Sequence, residues 1–196
     1  MGLRLRNASP IARTASVALR DGTQVRIRPL RPADRDLYRR AVDSLSPRTM
    51  VLRFGGAKRH LTEREVDHFL DNGRDGREAF VATTVDGTTI LAVGRFAPMP
   101  TDATVAEVAL VVADDWQSRG LGGLMLARLV RCAGQRRYKR LYAQSDVDNK
   151  PIAVLLRRHR FHVTSASRGV FEWEAELAPD GRPTPVICDS DRSLSR

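Results

Sequence analysis

The stretch "DDWQSRGLGGLML", Asp114 to Leu126, carries the densest chemistry in the chain. It follows an apolar run, "TVAEVALVVA" (Thr104–Ala113), and opens an apolar helical pattern. Gly120, Gly122 and Gly123 crowd that helix start, where glycine costs stability relative to alanine. Anion binding explains the expense. The first N–H groups of a helix lack partners, and the macrodipole adds about half a positive charge. A phosphate accepts those bonds directly, and at a glycine no β-carbon stands in its way. A Walker loop needs G-x-x-x-x-G-K-[ST], which does not occur, and a dinucleotide fingerprint fails because Met125 stands where its last glycine belongs. What remains is Gln117-x-x-Gly120-x-Gly122 between a strand and a helix.

The elements that must position this loop read as mixed α/β. "TQVRIRPL" (Thr23–Leu30) alternates like a strand. Pro32 and Asp34 then open a helix with Leu37, Ala41 and Leu45 on one face. Ser46–Phe54 reads as a second helix, with Ser46 as cap and Pro47 at its first position. Thr62 and Glu65 make a capping box for a third, which ends near Gly73. Three β-rich runs follow: Ala79–Val85, Ile90–Ala97 and Thr104–Ala113, the first two joined by an Asp86-Gly87 hairpin signal. After the loop come a helix (Leu121–Arg136), a strand (Arg140–Ser145), a helix in "NKPIAVLLRRHRF", and two strands joined near Gly169. The expected fold is a mostly antiparallel sheet with one parallel crossover and helices on both faces.

With 196 residues, one domain is expected at 21–177, between a flexible basic tail at 1–20 and a disordered polar tail at 178–196. No apolar run approaches the roughly 20 residues of a membrane span, so no membrane partner is expected. Two cysteines without C-x-x-C spacing and four scattered histidines predict neither a disulfide framework nor a metal site, and fit a reducing cytoplasm. The net charge of +10 favours polyanionic partners. An aromatic content of 6% leaves no stacking strip for nucleic acid, so a phosphorylated cofactor is the better candidate.

The Gln117-x-x-Gly120-x-Gly122 loop resembles the pyrophosphate loop of the GNAT acetyltransferases. "DNKPIAVLLRRHRF" resembles a later block of that family, with Asn149 and Phe161 in the matching places. "LRDGTQVRIRPLRPADRDLYRRAVDSLSPRTMVLRFGG", "LTEREVDHFL" and "AEVALVVADDWQSRGLG" are similar to the bacterial protein-lysine acetyltransferase branch, so the likeness spans roughly Leu19 to Leu177.

This resemblance implies an acetyl-CoA-dependent N-acetyltransferase acting on a primary amine, with a protein lysine as the leading acceptor. The pyrophosphate would lie on the amides of Gln117, Ser118, Arg119, Gly120, Leu121 and Gly122. The pantetheine arm would pair with Leu110, Val111 and Val112, and Asn149 would bond the arm or the loop. Basic residues around the following helix (Arg119, Arg128, Arg131, Arg136, Arg137, Lys139 and Arg140) would attract the charged cofactor. An attacking lysine must first lose a proton, and the candidate base is Glu107, placed by alternation with Val105, Ala109 and Val111 on an apolar face. Desolvation there would raise its pKa. The family's usual tyrosine acid is replaced by Leu156, its usual glycine before Phe161 by Arg160, and Tyr138 and Tyr142 read as structural. Asp114 and Asp115 read as turn formers, Gly123 as a site of close helix packing, His159 as a helix-end cation, and Arg53–His60 as a basic loop beside the acceptor groove. A small-amine acetyltransferase and a non-catalytic CoA- or nucleic-acid-binding module of the same fold are the alternatives.

Overall fold

A computed structural model of the protein describes residues 14–54 and 60–178. The tail readings for 1–13 and 179–196, and most of the basic loop after Phe54, lie outside these residues. Alternating polar and apolar residues build an eight-stranded sheet: β1 (Ala15–Ala18), β2 (Gln24–Pro29), β3 (Glu78–Thr83), β4 (Ile90–Met99), β5 (Asp102–Val112), β6 (Arg140–Asp146), β7 (His162–Ser167) and β8 (Val170–Glu176). The spatial order is β1-β2-β3-β4-β5-β6-β8-β7, and every pairing is antiparallel except β5 with β6. The architecture is the expected one. The sheet nevertheless starts before residue 21. Ala15–Ala18, assigned from sequence to a basic tail, is an edge strand on β2, with Val17 packed against the core. An alternation of only four residues is too short to stand out from a tail.

Five helices cover the sheet: α1 (Arg35–Asp43), α2 (Pro47–Phe54), α3 (Glu63–Leu70), α4 (Leu121–Gln135) and α5 (Lys150–Arg158). Strand alternation sorts them onto two faces. Ala79 and Val81 look toward α1, α2 and α3, burying Tyr38, Val42, Met50, Val66 and Leu70. Phe80, Ala82 and Phe96 look the other way, toward Leu121, Met125 and Leu129 of α4 and Leu156 of α5. Gly94 lets α4 lie close, since a Cβ there would stand 2.8 Å from Leu129 Cδ1. Thr62 and Glu65 close their capping box at the start of α3.

Two carboxylates anchor helix starts, one to nearby residues and one across 65 to 68 residues of chain. Asp34, just before α1, holds the half-buried Arg28 in a two-pronged ion pair at 2.6 and 2.8 Å. Asp114 opens a short 3-10 turn, as expected, and its carboxylate also accepts from Ser46 N–H (2.9 Å), Ser46 Oγ (2.8 Å) and Thr49 Oγ1 (2.7 Å), which clamps the start of α2. For each, partial burial works to raise the carboxyl pKa, but the bonds it accepts prevail and hold it below the ordinary value of 3.8.

Helix α5 ends in a Schellman turn. Phe161 N–H reaches Leu156 O at 3.0 Å, Arg160 N–H reaches Arg157 O at 3.0 Å, and Phe161 is buried. Arg160 must then adopt φ +64, a left-handed conformation that favours glycine. Arg160→Gly should therefore stabilise the protein by about 1 kcal/mol in denaturant unfolding. Unchanged or lower stability would show that the arginine makes compensating contacts. The two depressed carboxylates contribute stability that is complete above their unfolded pKa near 3.8 and lost as pH falls through the lower folded values. Melting temperature should drop below about pH 4, and Asp34→Asn should flatten that drop.

Candidate active site

β5 and β6 pair through three residues only: Val105 with Arg140, Ala106 with Leu141 and Glu107 with Tyr142. Beyond Glu107 they part, β5 following β4 to Val112 and β6 following β8 to Asp146. Ala113 N–H bonds Leu91 O on the β4 side. By alternation, Leu110 and Val112 turn their N–H and C=O groups toward the parting, and Val111 turns its own toward β4. At the end of the strand, Gln117 Nε2 donates to Val112 O at 3.1 Å, bracing the loop against β5. A cleft of about 750 Å³ opens here, walled by β5, β6, the loop and α5. That is the size of a pocket for an extended small molecule.

The loop turns its backbone inward. Ser118 has φ +61, and Gly120, the residue before α4, has φ +91 and ψ −4. The first turn of α4 has no side-chain cap. Left-handed residues next to an uncapped helix start form a concave set of N–H donors suited to phosphate. Gly120 is needed for its dihedral. Gly122 is needed for packing, since a Cβ would meet Leu155 Cδ2 at 3.3 Å. Gly123 has ordinary room, with the nearest atom at 3.8 Å, so the close packing expected of it belongs to Gly122.

The predicted binding residues divide. Leu110, Val111, Val112, Gln117, Ser118, Gly120, Gly122 and Asn149 line the cleft. Leu121 sends its side chain into the core and can offer only its backbone. Arg119 lies over Trp116, 4.8 Å from the ring centroid, and faces Asp21 at 3.5 Å, away from the cleft wall. Asn149 caps α5 by accepting from Ile152 N–H at 3.3 Å. The cationic wall consists of Arg20, Arg48, Arg53 and Arg158, against one carboxylate, Asp114. Sequence reasoning missed these because it followed the run of basic residues along α4. Arg136 and Arg140 are engaged in ion pairs with Glu78, Asp102 and Glu174 instead. Arg20 packs its chain against Gly120, 3.4 Å from where a Cβ would be, and only the β1–β2 turn brings it there.

Glu107 stands where the strands part, on the face toward α2, beside Val105 and Ala109 as alternation required. It is exposed, so the desolvation expected from its apolar strand is absent. β5 is apolar by sequence, but the parting opens this stretch to solvent. Tyr142 stands directly across from Glu107 and is not remote from the site. Its hydroxyl donates to Glu172 at 3.0 Å and accepts from Gln144 at 2.6 Å. Burial, with Glu172 and Glu107 nearby, pushes the phenol's pKa up, which keeps it protonated. Leu156 is buried, and no phenol takes its place at the cleft. His159 lines the cleft, and burial lowers its pKa, favouring neutral imidazole over the cation expected at a helix end. Arg53 belongs to α2 and not to a loop.

Residues 24–162 match the description "Acetyltransferase (GNAT) domain". The chain is 30% identical over 140 residues to "Acetyltransferase PA5475" of Pseudomonas aeruginosa, covering 70% of this chain and 75% of that protein. It is 27% identical over 184 residues to "Acetyltransferase Pat" of Mycolicibacterium smegmatis, covering 92% of this chain but 54% of that protein. It thus spans about half of that relative's length. Among solved structures, the GNAT domain of S. lividans PAT superposes with a TM-score of 0.78 at 24% identity, covering 84% of this chain and 97% of that one. Among the described residues no helix is long and apolar enough to cross a membrane. The chain belongs to the GNAT acetyltransferases, and it is an acyltransferase of a family that uses acetyl-CoA.

Proposed function

We propose that the protein transfers the acetyl group of acetyl-CoA to the side-chain amine of a protein lysine, in the cytoplasm. The observation that carries this reading is Glu107 at the mouth of the parting, between the uncapped glycine loop and the face toward α2. The amides from Gln117 to Gly122 hold the pyrophosphate, with Arg20, Arg48 and Arg158 supplying further positive charge. The backbone of Leu110 and Val112 pairs with the pantetheine arm as an added strand. That arrangement sets the thioester near Glu107. The carboxylate takes a proton from the acceptor ammonium, directly or through water. The freed amine attacks the thioester carbonyl, the carbon–sulfur bond breaks, the nitrogen gives its second proton to water or to the departing sulfur, and CoA leaves without a side-chain acid at Leu156. The resemblance of Leu19 to Leu177 to the bacterial protein-lysine acetyltransferase branch supports the protein acceptor.

Glu107→Gln should leave the Kd for CoA nearly unchanged and lower kcat at least a hundredfold. Normal turnover in that variant would remove Glu107 as the base. Gly120→Val forces a β-branched residue into φ +91, and the Kd for CoA should rise about tenfold or more by calorimetry. Equal affinity would mean the loop does not hold the pyrophosphate. Incubation of a cell lysate with labelled acetyl-CoA should place label in protein lysines; label confined to small amines would overturn the protein acceptor.

A further inference from the structure

Two arginines beside Glu107 have no partner that accounts for them. Arg95 on β4 lies opposite Ala109, and Glu107 on β5 lies opposite Ala97, so the two are diagonal neighbours on one face. Arg53 descends from α2 onto the same face and lines the cleft. Both guanidinium groups rest on one aromatic floor. Arg53 Cζ is 5.0 Å from the Phe54 ring centroid and 5.9 Å from that of Phe69, and Arg95 Cζ is 5.0 Å from that of Phe69. Arg53 Nε is buried and makes no hydrogen bond. Arg95 makes one long contact, to His68 Nε2 at 3.5 Å, which offers no countercharge. Among the described residues neither arginine has a carboxylate within ion-pair range, whereas Arg28, Arg35, Arg39, Arg136 and Arg140 all do.

Such an arrangement costs free energy. Burial opposes both charges and Arg95 repels Arg53, while Glu107 nearby favours both cations without cancelling that cost; Tyr38 beside them is a phenol whose pKa burial pushes up to about 12. Stacking on Phe54 and Phe69 offsets part of that cost but leaves the guanidinium edges without acceptors. The edges are suited to a planar anion, which an arginine fork binds with two parallel bonds.

We infer that Arg53 and Arg95 form an anion subsite of the acceptor, holding a carboxylate carried by the same molecule as the amine that faces Glu107. The inference rests on the reading of Glu107 as the group that meets the amine. It adds an orientation. The ammonium end goes to the Glu107 carboxylate and the anionic end to the paired guanidiniums, which favours one orientation of the acceptor. The carboxylate is either an acidic side chain beside a target lysine or the free carboxylate of a small amino acid.

The test is binding and turnover with matched pairs of acceptors. One arm uses lysine peptides with glutamate or glutamine beside the lysine. The other uses free amino acids and their carboxamides. Calorimetry on the CoA-loaded protein should show the carboxylate member of a pair binding at least tenfold tighter than its amide, in one arm or the other. That arm identifies the source. Arg53→Met and Arg95→Met should each bring the carboxylate member down to the amide's affinity, and Arg53→Lys should restore part of the gap. Melting curves check that the variants fold, and Arg95→Met serves alone if Arg53→Met does not. Equal affinities within every pair, no binding in either arm, or a gap that survives both substitutions, overturns the subsite. Discrimination in binding without acetyl transfer to any acceptor leaves the subsite standing and overturns the catalytic reading instead.

Discussion

The parting of β5 and β6 is the constraint that everything else serves. Parallel pairing lasts for three residues, whereas β5 keeps β4 from Asp102 to Val112 and β6 keeps β8 along its whole length. Each strand follows the twist of its longer antiparallel partner, and the short parallel ladder between them cannot hold them together. The result is an edge inside a sheet. Backbone groups there must meet water or a ligand, because a buried unpaired amide is costly. An internal edge is therefore hydrated, and an extended molecule can complete it.

Two devices keep the edge usable. Gln117 closes its far end on Val112 and fixes the loop relative to the strand. Asp114, three residues earlier, fastens the same loop to Ser46 and Thr49 at the start of α2. Helix α2 carries Arg53 on the opposite face of the sheet. One short segment thus sets the position of the phosphate-type donors and of the helix over Glu107. The two halves of the cleft cannot move independently without breaking charge-assisted bonds.

Much of this was legible in the sequence, and the reasons differ by element. The strand–loop–helix order of Thr104–Arg136 was readable because apolar periodicity changes from two to 3.6 within one short stretch, with glycines marking the change. The capping box at Thr62 and the Asp86-Gly87 turn are local chemistry, read from neighbouring residues. What failed was tertiary. Asp114 does open a short turn, but its tie to α2 was hidden because those partners lie 65 and 68 residues away. Glu107 looked desolvated because an apolar strand implies burial only where another layer covers its face, and Glu107, although paired on both edges, is exposed. The close packing assigned to Gly123 falls on Gly122 because helix α5, which crowds one and spares the other, cannot be placed from the loop's own sequence.

Charge shows the same division more sharply. The excess of +10 suggests a single basic surface, and the arginine-rich run along α4 looks like its core. In three dimensions much of that run is neutralised, Arg136 by Glu78 and Arg140 by Asp102 and Glu174. The cations that line the cleft come one at a time from separated places: Arg20 from the β1–β2 turn, Arg48 and Arg53 from α2, and Arg158 from the end of α5. None belongs to a sequence pattern that composition or spacing would single out. A phosphate loop can be written in six consecutive residues, because one helix start supplies most of its donors. The acceptor site proposed on the opposite face has no such nucleus. Its proposed parts, Arg53, Arg95 and Glu107, come from α2, β4 and β5 and share a face only once the chain has folded. The proposed phosphate loop is therefore readable from a short string, while the side chains proposed to choose the acceptor are ones that only the fold brings together.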